Sequence, residues 1–107
     1  VIKYDTMTIS FFSRNIIDIL YGTKPMVGHV VGVNVFSFLE QHAVNISRDF
    51  KSKVKASLKA GQPVSLDLNL STRKFMRYVK FITHWTPLKD EEGKVCYVVV
   101  ALGSSQL

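Results

Sequence analysis

The stretch "WTPLKDEEGKVCYVVVALG", Trp85 to Gly103, decides the fold. An aromatic-rich extended run ends at its Trp-Thr-Pro. The polar "KDEEGK" follows, in which Gly93 can take the positive φ that a tight turn needs. An unbroken apolar run, Val95 to Leu102, then completes a β-hairpin. Because that run is apolar at odd and even positions alike, a central strand covered on both faces is expected.

The segments before the hairpin supply its neighbours. "PVSLDLNLS", Pro63 to Ser71, alternates strictly: Val64, Leu66, Leu68 and Leu70 fall on one side, and Ser65, Asp67, Asn69 and Ser71 on the other. That is a strand with one buried and one wet face. In Lys74 to Pro87, Val79, Phe81, Thr83 and Trp85 share one side, and Tyr78, Lys80, Ile82 and His84 the other. At the other end, Val1–Tyr4 and Thr8–Phe12 read as short strands around a polar turn at Asp5 and Thr6. A helix capped by Ser13 runs to about Leu20, closed by Tyr21-Gly22 before Pro25. Gly28 and Gly32 punctuate Pro25 to Gln41 into short helical turns. From Ile46 to Ala60, Ile46, Phe50, Val54 and Leu58 recur every fourth residue and make one buried helical stripe. Lys51, Lys55 and Lys59 form a separate ridge turned to solvent, and Gly61 ends the helix. Two strands, a helical middle and a three-strand meander thus spell an α+β domain. With the last strand between the first and the fourth, the sheet is five-stranded and antiparallel, with helices packed on one face.

Composition bounds what such a domain does. At 107 residues, 47% hydrophobic and 21% charged, the chain makes a single domain, 1–107, that holds a core without disulfides or metals. Its start in a strand suggests a piece excised from a larger protein. One cysteine, Cys96, excludes an internal disulfide framework and fits a reducing compartment, so a cytoplasmic or nuclear setting is expected. No run is long enough to cross a bilayer as a helix, and no secretory signal is visible. "NIS" at Asn45 matches a glycosylation sequon but has no secretory context.

A net charge of +6 invites a nucleic-acid reading, and Arg48, Lys51, Lys53, Lys55 and Lys59 concentrate it on one helix. The lysine ridge has no interleaved aromatic or amide side chains to reach bases, so a solvated face is expected and nucleic acid is not. No nucleophile, base and orienting group fall at a catalytic spacing, so no enzyme is expected. His29, His42 and His84 lie apart from one another, and a lone histidine is more often structural or solvated than a ligand, so no metal or haem site is expected.

The order and spacing of these segments resemble the PAS domain, a sensor module with this sheet and a cupped layer of helices. "ISFFSRNIIDILYG" sits where that family has its second strand and first helix. "VVGVNVFSFL" resembles its Gly-x-x-hydrophobic-Phe helical turn, and "LKAGQPVSLDL" its helix end and third strand. The Trp85–Gly103 stretch resembles its closing hairpin. Within the family, the light-sensing LOV branch reads Gly-x-Asn-Cys-Arg-Phe-Leu-Gln at the flavin-binding turn. Here "GVNVFSFLEQ" keeps Gly32 and Asn34 and matches Phe38-Leu39 after one extra residue, but Val35 and Phe36 stand where the reactive cysteine would be. Phe81 and Leu102 occupy the strand positions where that branch has an inward Asn and Gln. Cys96 lies far from the turn. Cysteine-adduct photochemistry is therefore not expected, and a cysteine-less flavin domain working by redox change is the alternative reading.

Two candidate sites follow. Asn34, Val35, Phe38, Leu66, Leu68, Phe81, Trp85 and Leu102 are expected to face inward. They either fill the core or line a pocket for a small apolar ligand, with no resident cofactor expected. Tyr78, Ile82, Tyr97, Val99 and Ala101 are expected on the outer sheet face, where an apolar patch needs a second copy or an attached effector domain. The expected role is a regulatory sensor and interaction domain of a multidomain signalling protein.

Overall fold

The computed structural model describes residues 1–11, 31–42, 46, 48–72 and 77–104, the side chains of 42, 71, 72, 77, 78 and 104 excepted. Its elements, in order, are β1 (Ile2–Lys3), β2 (Thr8–Ile9), α1 (Val35–His42), α2 (Arg48–Lys59), β3 (Val64–Thr72), β4 (Arg77–Lys89) and β5 (Val95–Ser104). The expected helix from Ser13 to Leu20 lies outside the described residues.

The strands form one antiparallel five-stranded sheet in the order β2-β1-β5-β4-β3. β5 sits between the first strand and the fourth, as expected for the most hydrophobic strand. Its hairpin with β4 turns on Asp90, whose Oδ1 accepts from Glu92 N–H and Lys94 N–H at 2.9 Å each. Gly93 adopts φ +81°, the left-handed conformation that closes such a turn without a Cβ clash. A register shift follows at Leu88/Lys89, so β4 runs on past Pro87 to Lys89. At the other end, β1 and β2 are only two residues each. Ile2, Ile9 and Val98 align across β2, β1 and β5 and are buried together.

α2 carries the stripe that its sequence spacing demands: Phe50, Val54 and Leu58 are buried and Ile46 packs partly buried beside them. Its end is a Schellman closure, in which Gln62 N–H bonds Ser57 O at 2.9 Å and Gly61 N–H bonds Leu58 O at 3.0 Å. Gly61 takes φ +72°. α1 starts at Asn34, whose Oδ1 accepts from the N–H groups of Phe36 (2.9 Å) and Ser37 (3.3 Å). Both helices pack on the sheet face that bears Trp85. Phe36 stacks on the indole at 6.0 Å, and Phe50 meets it edge-on at 6.2 Å.

The lysine ridge is turned to solvent as expected, with Lys55 and Lys59 exposed. It also touches α1: Lys51 pairs with Glu40, and Lys55 Nζ lies 5.5 Å above the Phe36 ring. One expectation needs correction. Among the described residues β5 is covered on one face only, and Tyr97 and Ala101 remain exposed on the other.

Candidate functional site

The inward row of β3, β4 and β5 is built by strand parity. Registers Leu66↔Thr83↔Leu102, Leu68↔Phe81 and Trp85↔Val100 put these side chains on the helix-facing side. Val35, Phe38, Leu68, Phe81 and Trp85 are buried in one cluster, and Leu66 and Leu102 pack against it partly buried. The structure thus brings seven of the eight inward candidates into one layer. It places the eighth, Asn34, differently. The Asn34 carboxamide oxygen is occupied as the cap of α1, and Asn34 forms a bridge to Thr8 of β2.

The layer also has a polar element that sequence reasoning does not single out. Thr83 is completely buried, as is Trp85. The Trp85 Nε1–H donates to Thr83 Oγ1 at 2.9 Å, and the Thr83 hydroxyl donates to the Leu66 carbonyl oxygen at 2.8 Å. This relay satisfies both polar groups inside the protein, so neither is a free hook for a ligand. Phe36 and Phe50 occupy further space around the indole. The surroundings of Trp85 are a packed core. On the inward rows of the described strands, Val64, Leu66, Val100 and Leu102 are partly buried and keep some exposed surface, which is hydrocarbon apart from the backbone. Alternation signals a strand's inward row, but a threonine in that row signals its hydrogen bonds only once its neighbours are placed.

The outer face is built by the opposite parity. His84↔Ala101, Thr86↔Val99 and Leu88↔Tyr97 are the outward cross-strand pairs between β4 and β5, and Ile82 lies opposite Gly103. Ile82 and Val99 are half-buried, Ala101 is exposed, and Tyr97 and Leu88 are exposed by 42% and 45%. Four of the five outward candidates, Ile82, Tyr97, Val99 and Ala101, therefore share one surface. Tyr78 holds an outward register position opposite Ser71, but its side chain lies outside the described residues. Leu88 joins this face although Pro87 reads, in sequence, as the end of its strand.

This face has two characters. Toward the β3 edge it is polar: Asp67 pairs with Lys80 at 3.4 Å, and Ser65 Oγ lies 2.7 Å from His84 Nδ1. Along the central strand it is apolar. Below Tyr97 it opens into a cleft of about 410 Å³ bordered by Lys3, Asp5, Asp90, Lys94 and Cys96, a mixed-charge rim with no preference for one sign. Groups of three or more His, Cys, Asp or Glu side chains able to hold a metal are absent among the described residues. No described helix is long and apolar enough to cross a membrane.

Comparison with protein-family models finds no match to this chain, and comparison with curated proteins finds no significant one.

Proposed function

We propose that this chain is a PAS-type regulatory domain of a larger signalling protein, a sensor and interaction module whose output surface is the outer face of its sheet. One observation carries the reading. The sheet runs β2-β1-β5-β4-β3 with both described helices on one side, and an apolar stripe of Ile82, Leu88, Tyr97, Val99 and Ala101 lies on the other. The order and the one-sided helix layer match the arrangement that the sequence resemblance implies. A stripe of this kind at the centre of a sheet is favoured to leave water against another surface. The partner is an attached effector domain or a second copy, and the role is non-enzymatic.

The interior supports an apolar ligand, not a polar one. A molecule held between helices and sheet would meet hydrocarbon at Leu66, Leu68, Phe81 and Leu102. The Asn34 carboxamide oxygen, which could otherwise face a flavin edge, is taken up by the cap of α1. We therefore assign no cofactor.

Val99→Lys tests the output surface. It sets a charge in the middle of the stripe, where desolvation on contact is costly. Binding to the effector, or self-association through this face, is expected to weaken about tenfold or more, the equivalent of about 1.4 kcal/mol. Unchanged binding of a folded variant to the effector, measured by titration, with no self-association sensitive to Val99, would remove this face from the mechanism.

A further inference from the structure

The two edges of the sheet are finished differently. The β2 edge is closed by the segment that leads into α1. Ile9 N–H bonds Val33 O at 2.9 Å, Gly32 N–H bonds Ile9 O at 2.7 Å, and Val35 N–H bonds Met7 O at 2.8 Å. The opposite edge, β3, is a nine-residue strand with no described strand beyond it. In an antiparallel ladder, alternate residues of such a strand turn N–H and C=O away from their one partner, leaving a row of unpaired groups.

Sheets that end this way in water usually guard the edge with a proline, a bulge, a lysine or an inward charge. β3 has none of these. Pro63 lies outside the strand, the β3–β4 register runs without a shift from Val64 to Thr72, and the sole charge is Asp67, exposed on the outer side and paired with Lys80. Among the described residues the edge is long and regular, with Asp67 as its single charge.

We propose that β3 pairs with β3 of a second copy of this chain, antiparallel about a two-fold axis at Leu68, joining two sheets into one. The strand's sequence is self-complementary in that register. Centred on Leu68, pairing runs the full length of the strand and sets Val64 opposite Thr72, Leu66 opposite Leu70, and Leu68 opposite itself. The inward leucine row therefore continues across the boundary on the helix side. On the outer side Ser65 falls opposite Ser71, and Asp67 opposite Asn69, so no like charges meet. Centring the axis on Asp67 would set two carboxylates against each other and leave the strand ends unpaired. This contact is separate from the apolar stripe and does not depend on it.

Position 69 tests the register. In its own sheet Asn69 faces Lys80, so Asn69→Asp adds a favourable cross-strand neighbour within the monomer while opposing Asp67 of the second copy twice per dimer. Asn69→Lys reverses both effects. Analytical ultracentrifugation of the chain over a concentration series at low salt is expected to show a wild-type dimer. Asn69→Asp is expected to weaken it about five- to tenfold and Asn69→Lys to tighten it by a similar factor, from two cross-strand charge pairs. Val99→Lys is expected to leave this dimer intact. A wild-type chain that stays monomeric overturns the proposal, as does a dimer indifferent to both changes at position 69. A dimer broken by Val99→Lys alone would place self-association on the outer face instead.

Discussion

Thr83 is the residue on which the interior turns. It is the buried polar side chain of an otherwise apolar row, and it holds the indole of Trp85 to the backbone of β3 through two hydrogen bonds. Thr83→Val keeps the shape but strands the indole N–H and removes one bond from the Leu66 carbonyl. Unfolding in denaturant should show a loss of about 1–3 kcal/mol, the cost of leaving a buried donor unmet. Thr83→Ser, which keeps the hydroxyl, should recover most of it. A Thr83→Val variant as stable as the wild type, with the loss falling on Thr83→Ser instead, would assign the effect to the methyl group's packing and dismiss the relay. The inward position of Thr83 is legible from alternation alone. Its partners are not, because Leu66 is seventeen residues away in the chain. Asn34 teaches the reverse lesson. Its neighbours in sequence suggest a ligand contact, while the bonds it makes are local and explain it as a helix cap.

At the scale of the element, α2 shows how far a repeat can be read. The spacing of Phe50, Val54 and Leu58 dictates the buried stripe, and Gly61 marks the stop. The adjoining lysines are legible as a ridge but their contacts are not, since their partners Glu40 and Phe36 belong to α1. Gly61 carries the prediction at this scale. Its φ of +72° lies in the region that costs an L-residue with a Cβ about 1–2 kcal/mol. An added Cβ would also fall 2.8 Å from Lys89 Cε, a contact that the flexible lysine can relieve. Gly61→Ala should therefore lower stability by about that backbone cost, measured by thermal or chemical unfolding, with the fold retained. A neutral result would mean that the Schellman closure contributes little to holding α2 on the sheet.

For the whole molecule, the question is what the layer between helices and sheet contains. Among the described residues, Trp85 is packed by Phe36 and Phe50 and the partly buried rim at Leu66, Val100 and Leu102 is hydrocarbon, and we propose that any guest there is apolar. Freshly purified protein should show no absorption band beyond that of its own Trp and Tyr side chains and should be colourless in the visible range. Mass spectrometry of the supernatant after denaturation should find either no small molecule or a single apolar compound. Flavin bands or a Soret band would overturn the proposal that the domain holds no cofactor. The same scale separates the two surfaces proposed for association. The stripe on the outer face is a matter of apolar area and answers to Val99→Lys, while the β3 edge is a matter of backbone pairing and answers to charge at position 69.

Residue order alone was enough to set the period of each element and hence which side of it is apolar: two for β3 and β4, near four for α2. These are local properties, dictated by backbone geometry and by which side chains avoid water. The strand order was legible too, because the most hydrophobic strand belongs inside a sheet and not at its edge. What each face meets was settled by tertiary packing. Packing put Trp85 against Phe36 and Phe50, joined Lys51 and Lys55 to α1, and stitched the segment before α1 along the β2 edge. It also left the outer face of β5 and the free side of β3 without a described neighbour. Those outcomes depend on contacts between residues distant in the chain, and a local pattern carries no information about which distant surface will satisfy it.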